Sequence, residues 1–260
     1  MQNEKLLQRY RTIAGTWNDP GFAGRRRDDL LSRILDMADL KEGQIVLDLM
    51  CGTGRLANAL RERYGHSLTV HVADFCQEML DQVPSEAYNQ AFCVDVLDAA
   101  DILPRHYDAV FMRTCLHDLP REDQPKALSV VRKLLTPTGQ LNLQAYLPDT
   151  RTQSLQNELV NLKDQYAGWR DQSRECPRYF ATTEELETWL RQVGFSLMDR
   201  HDFIGQAVPG HELPLDDLRA FNDRLAKIDH DQASEIGLSL DDKGCYTYAL
   251  PGQILRLRLI

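Results

Sequence analysis

Apolar positions along the chain recur at two different periods. Over residues 4–13 and 25–40 they follow helical spacing, and Leu30, Leu31, Ile34, Leu35 and Ala38 mark one face of the second helix. The segment between, GTWNDPGFAG, is rich in glycine and aromatics and reads either as a plain connector or as a lid over a binding domain. From residue 43 the period changes. GQIVLDLM is a short apolar run of the kind a strand buried on both faces requires, and CGTGRLANALRERYG follows as a glycine turn and a helix. SLTVHVADF, QAFCVDVLD, HYDAVFMRT and TGQLNLQAYL read as further strands. CQEMLDQVPSEAY, stopping near Pro84, and REDQPKALSVVRKLL read as helices. Strand and helix in alternation predict right-handed βαβ units, hence an α/β, Rossmann-like sheet with helices on both faces.

After Pro148 the pattern loosens. Residues 152–175 suggest an amphipathic helix with Leu155, Leu159, Leu162, Tyr166 and Trp169 along one side. TTEELETWLRQVG predicts another helix, capped by Thr182 or Thr183 with Glu185 or Glu184 as the early acid, and ended by Gly194. FSLMDRHDFIG reads as a strand. Within residues 205–242 only LDDLRAFNDRLAKI reads as a helix, and CYTYALPGQILRLRLI closes as a strand or hairpin. The domain reading is a helical lid over 1–40, a core over 41–204, and a C-terminal helix with closing strands of the same domain over 205–260.

A chain of 260 residues buries a sizeable core without staples. Acidic residues outnumber basic ones 39 to 30, a net charge of −9 that repels a nucleic-acid backbone, and Arg25-Arg26-Arg27 is too short a run to reverse this. The six cysteines form no C-x-x-C pair, and the scattered acids form no metal constellation, so no metal site is expected. The polar opening MQNEKLLQRYR has no apolar signal core, and no apolar run approaches the ~20 residues of a membrane helix. The expected setting is cytoplasmic, with free thiols and a small-molecule substrate; a homodimer stays open.

The chemistry starts at DLMCGTG, between the first strand and its helix. Glycines there let the backbone approach a ligand and adopt positive φ, and the helix behind offers free N–H groups. Such loops also serve dinucleotides and nucleoside triphosphates, although no Gly-Lys-Ser/Thr follows here. Two acids narrow the choice. Asp74 ends the second strand, where a carboxylate accepts ribose hydroxyls, and Asp95 ends the third, with Val96 beside it, where an acid accepts from an adenine amino group. Loop and acids at three successive strand ends point to one nucleoside in one crevice.

VLDLMCGTGRLA, HVADFCQEML, FCVDVLD, YDAVFMRTCLHDL, VVRKLLTPTGQLNL and YFATTEELETWLRQVGF stand in an order that resembles the class I S-adenosylmethionine (SAM)-dependent methyltransferases. The resemblance covers about residues 40 to 200 and implies a seven-stranded, mostly parallel sheet with an antiparallel final strand, plus cap insertions. It also implies the cofactor, SAM. Asp48, Met50, Cys51, Gly52 and Gly54 would meet its amino acid end, Asp74 its ribose with Phe75 and Met79 alongside, and Asp95 with Val96 its adenine. Tyr10 and Trp17 would lie in the lid, with Arg113 and Thr114 at the fourth strand's end. Met50 departs from the family, which usually has glycine there.

For catalysis, His117 in R-T-C-L-H-D-L reads as a general base or as a scaffold of the SAM site, since imidazole titrates near neutrality. Asp118 reads as a helix cap, and Arg113 as a partner for a carboxylate. Tyr146 and Tyr179 are the other catalytic candidates, while Tyr166, Trp169, Arg170 and Arg178 are cap candidates. The expected reaction is methylation of O or N on a small molecule of secondary metabolism. The alternative is SAM consumption without methyl transfer, by closure to a four-membered cyclic amino acid with release of methylthioadenosine, or by aminocarboxypropyl transfer.

Overall fold

A computed structural model describes residues 4–18, 28–104, 106–166, 178–207, 213, 215–242 and 244–260. Arg25, Arg26, Arg27, Trp169, Arg170 and Cys176 lie outside the described residues.

The sheet runs β3 (Gln90–Cys93), β2 (Thr69–Asp74), β1 (Ile45–Leu49), β4 (Tyr107–Arg113), β5 (Leu135–Tyr146), β8 (Tyr246–Leu259) and β6 (Phe195–Ala207). A short eighth strand, β7 (Ser239–Leu240), pairs with the start of β8. β1 to β5 are parallel neighbours, whereas β8 lies antiparallel between β5 and β6. The chain's last fourteen-residue element is thus one long strand inside the sheet, not a hairpin at its edge. The order reverses between β1 and β4, so the crevice beyond their carboxyl ends is the switch point where α/β sheets bind ligands.

Alternating side chains of each inner strand feed two cores, which is why these strands read as continuous apolar runs. Leu47, Leu49, Val110, Met112, Leu141 and Leu143 pack with α6 (Gln124–Leu134) and α8 (Thr183–Val193). Val46, Val70, Val72, Phe111 and Ile254 pack with α2 (Asp28–Ala38) and α3 (Arg55–Tyr64) on the other side. α8 has the capping box its sequence predicts: the Thr182 hydroxyl accepts from Glu185 N, the Glu185 side chain takes the Thr182 N–H, and Gly194 ends the helix at φ 92°.

Three elements differ from the pattern. The helix after Cys76, α4 (Gln77–Leu80), stops four residues before Pro84, because proline forces its predecessor toward extended backbone and a separate turn forms at Ser85–Ala87. A short α5 (Ala99–Ile102) joins β3 to β4. Near the C-terminus α9 (Leu215–Leu225) is followed by α10 (His230–Glu235), which the acidic stretch hides because no side chain in it is buried. At the other end, α1 (Glu4–Ile13) packs Ile13 and Tyr10 against Cys76, Met79 and Phe75, which brings the N-terminal segment onto the second strand's end. α7 (Gln153–Tyr166) carries Leu159 toward Phe221 of α9.

Candidate functional site

Asp48 sits on β1 with its side chain 2% exposed, and its Oδ2 accepts from Ala57 N at 3.3 Å. Burial raises this carboxyl to about 7, against the opposing pull of Arg113. After β1 the backbone enters the left-handed region at Met50 (φ 58°), Gly52 (55°) and Gly54 (71°). Gly54 is obligatory twice over: a Cβ there would also strike the methyls of Val83. Met50 occupies a conformation that costs a side-chain-bearing residue about 1–2 kcal/mol, and its side chain is turned against the core on the α6 side.

The loop is fastened to the acid that follows. Asp74 Oδ2 accepts from Gly52 N (2.8 Å) and Oδ1 from Cys76 N (3.0 Å). Burial lifts this group to about 6, opposed by those two N–H donors. Cys51 N donates to Ala73 O, tying the same two strand ends together. Asp95 is half-buried beyond β3, its Oδ1 accepting from Leu97 N at 3.0 Å, with Val96 buried beside it. Phe75 meets the Tyr10 ring edge-on at 5.5 Å, and Tyr10 meets Trp17 at 6.1 Å. The loop, Asp74, Phe75, Tyr10, Trp17 and Met79 are therefore gathered at one end of the sheet.

Arg113 ends β4, next to Gln144 of β5 in register, and Thr114 follows at φ 53°. Burial lowers the Arg113 pKa while Asp48 supports its charge, and the Arg113 Nε has no hydrogen-bond partner. One turn on, the His117 ring stacks on Phe180 at 4.7 Å and meets Tyr146 edge-on at 5.9 Å. Its Nδ1 is buried without a partner, and burial depresses its pKa to about 4, so the imidazole is neutral at pH 7. Phe203 extends this aromatic wall, 5.7 Å from Tyr146.

Tyr179 is placed apart. Its backbone N–H donates to His117 O, but its hydroxyl donates to the Glu185 carboxylate at 2.8 Å beneath the Arg121 guanidinium, and Gln153 donates to it. The ring that faces His117 is that of Phe180. Asp118 caps no helix side-chain-wise; instead it accepts from the Tyr10 hydroxyl at 2.8 Å and pairs with Arg178 at 2.9 Å. Burial alone would raise the Asp118 pKa, but Arg178 leads the groups that hold it down at about 2. Phe180, Arg9, Asp164 and Gln144 carry no local motif; they join the site only through tertiary contacts.

Residues 46–139 match the family model for a methyltransferase domain. A demethylmenaquinone methyltransferase of Clavibacter sepedonicus is 27% identical over 182 residues, covering 65% of this chain and 72% of that protein. The ubiquinone/menaquinone biosynthesis C-methyltransferase UbiE of Hydrogenovibrio crunogenus is 28% identical over 113 residues, 41% of this chain and 44% of that protein. Among solved structures, the Bacillus halodurans protein BH2331 shares the fold with a TM-score of 0.72 at 16% identity, covering 88% of this chain and 97% of that one. The sheet order, the glycine loop bonded to Asp74, and the domain match agree: residues 46–139 carry a methyltransferase domain, on the Rossmann-like fold of the class I SAM-dependent methyltransferases.

Proposed function

We propose that the acceptor is a small hydroxylated aromatic ring, quinol-like, that receives the methyl group on a ring carbon. The observation that carries this is His117: a buried, neutral imidazole with an unpartnered Nδ1, held between the Phe180 and Tyr146 rings one turn after Arg113. A hydroxylated ring slots against aromatic faces with offset or edge-on contacts. Its hydroxyl proton passes to Nδ1, which turns the ring carbon beside it into a carbanion-like nucleophile. SAM supplies a methyl already activated by its sulfonium, leaving as S-adenosylhomocysteine. The ring C–H proton is then released to restore aromaticity and Nδ1 returns its proton to the ring oxygen, so that one proton leaves overall. The names of the two relatives support a quinone precursor and, for one of them, carbon as the acceptor atom.

The residues also fit the cofactor. Asp48 and Arg113 are buried opposite charges at adjacent strand ends, and Arg113 Nε is unspent. Such a pair complements the ammonium and carboxylate of an amino acid. Asp74 and Asp95 then take ribose and adenine, with Phe75, Met79 and Val96 as apolar walls, and Tyr10 and Trp17 above.

The test is to incubate the protein with SAM and a panel of reduced benzo- and naphthoquinols that have an open ring position. The expected product is heavier by one methylene and carries a C–CH3 signal by NMR. An O–CH3 signal would move the acceptor atom to oxygen with the same base. Methylthioadenosine formed from SAM alone would replace methyl transfer by chemistry on the aminocarboxypropyl chain.

A further inference from the structure

Tyr10 belongs to two sites at once. Its ring forms the cofactor-side wall with Phe75 and Trp17, and its hydroxyl bonds Asp118, the residue after His117. This bond spans 108 residues of sequence, so it is a tertiary device and not a local turn. Arg178 pairs with the same Asp118 at 2.9 Å and with Asp164 of α7 at 3.3 Å. Lys163 meets Asp164 at 2.9 Å, and the Arg9 guanidinium lies over the Tyr10 ring at 5.2 Å. These charged side chains are nearly all buried, Arg178 and Asp118 at 10% and 14% exposure and Asp164 at 0%. Buried ion pairs contribute little net stability against apolar replacements, and their best-attested use is to fix one arrangement among several. Here the arrangement fixed is that of the His117–Asp118 turn, a single 3-10 turn (Leu116–Asp118) whose backbone is also met by Tyr179 N–H at His117 O.

We propose that Tyr10 and Arg178 are positioning residues for the His117 turn, and that the Tyr10 hydroxyl transmits cofactor occupancy at the Phe75 wall to that turn. This rests on the reading of His117 as the acceptor-side group. The consequence is ordered assembly: the acceptor pocket takes its final form after the cofactor is seated.

Amide hydrogen exchange with S-adenosylhomocysteine as probe tests this without knowledge of the acceptor. In the wild type the probe slows exchange at residues 50–54 and 74–76, and also at 115–119, by roughly tenfold, within the usual range of site-to-site coupling. Tyr10→Phe keeps the ring and removes only the hydroxyl. It should retain protection at 50–54 and 74–76 and lose it at 115–119. Asp118→Asn should do the same. Arg178→Lys should raise exchange at 115–119 with and without probe while keeping the response. Wild-type protection that never reaches 115–119, or protection there that survives Tyr10→Phe, overturns the transmission; an unchanged baseline in Arg178→Lys overturns its positioning role. The acceptor reading fails separately: His117→Gln would then keep methyl transfer while the exchange pattern stays as in the wild type.

Discussion

The β1–β3 half and the β4–β5 half of the crevice are held by different kinds of contact. Around β1, β2 and β3 the acids are satisfied by backbone N–H groups: Asp48 by Ala57, Asp74 by Cys76 and by Gly52 of the glycine loop, Asp95 by Leu97. Around β4 and β5 the polar groups are either spent on distant side chains, as Asp118 is on Tyr10 and Arg178, or left unspent, as His117 Nδ1 and Arg113 Nε are. Backbone donors hold a loop in shape whatever the neighbouring side chains are. Side-chain partners are set residue by residue. The first half is therefore suited to one common ligand, and the second to a particular one. Unpaired buried polar atoms are expensive, so each calls for a partner.

Substitutions that strike one half and spare the other sharpen this contrast. The largest effect is expected from His117→Gln. It should lower kcat by about 10³, within the range for loss of a general base, and leave S-adenosylhomocysteine affinity unchanged in calorimetry. The pH dependence follows from the depressed pKa. Between about 4 and the ordinary histidine value of 6.5 the unfolded chain binds a proton that the folded one does not, so stability falls as pH drops through that window. The loss is on the order of 3 kcal/mol, and His117→Gln should remove it from a series of denaturation curves.

Asp74→Ala comes next. It deletes the charge-assisted bond to Gly52 N of the loop and the one to Cys76 N, as well as the proposed ribose contact, and should weaken S-adenosylhomocysteine binding by about 100-fold, given 1.5–3 kcal/mol per such bond. A variant that binds normally would break the assignment of the β1–β3 half to the cofactor. Asp48→Asn is a smaller and two-sided change. The raised folded pKa of about 7 means that ionising Asp48 destabilises the fold progressively as pH climbs from the normal carboxylate range to 7. The variant should therefore be more stable than the wild type at pH 8, by on the order of 4 kcal/mol, and show little difference at pH 4, yet bind the probe about tenfold more weakly. The smallest effect is expected at α8: Thr182→Ala removes an N-cap, costing about 1 kcal/mol, and should lower Tm with kcat unaltered.

Legibility followed the same divide. The glycine loop, Asp74 and Asp95 are legible because each lies at a strand end whose position the apolar periodicity marks; the bond from Gly52 to Asp74 joins two such ends. Thr182, Glu185 and Gly194 are legible because caps are local. Tyr179 illustrates the opposite. Its place after the fifth strand makes it a catalytic candidate by resemblance, but Glu185, Arg121 and Gln153 converge on its hydroxyl, and Phe180 takes the place beside His117. Asp118 looked like a cap because the helix begins soon after; only the arrival of Tyr10 and Arg178 from distant elements gives its carboxylate another task. α10 escaped notice because an all-exposed helix leaves no apolar stripe.

What the sequence by itself determined is the parallel core, its glycine loop and the acids that flank it, because hydrophobic period, φ > 0 and backbone capping are written in neighbouring residues. What only the tertiary structure decided is the aromatic wall of His117, Phe180 and Tyr146, the unspent Arg113 beside Asp48, and the clamp on Asp118. Those depend on which face each strand turns inward and on side chains brought together across the chain, and no local period encodes such meetings.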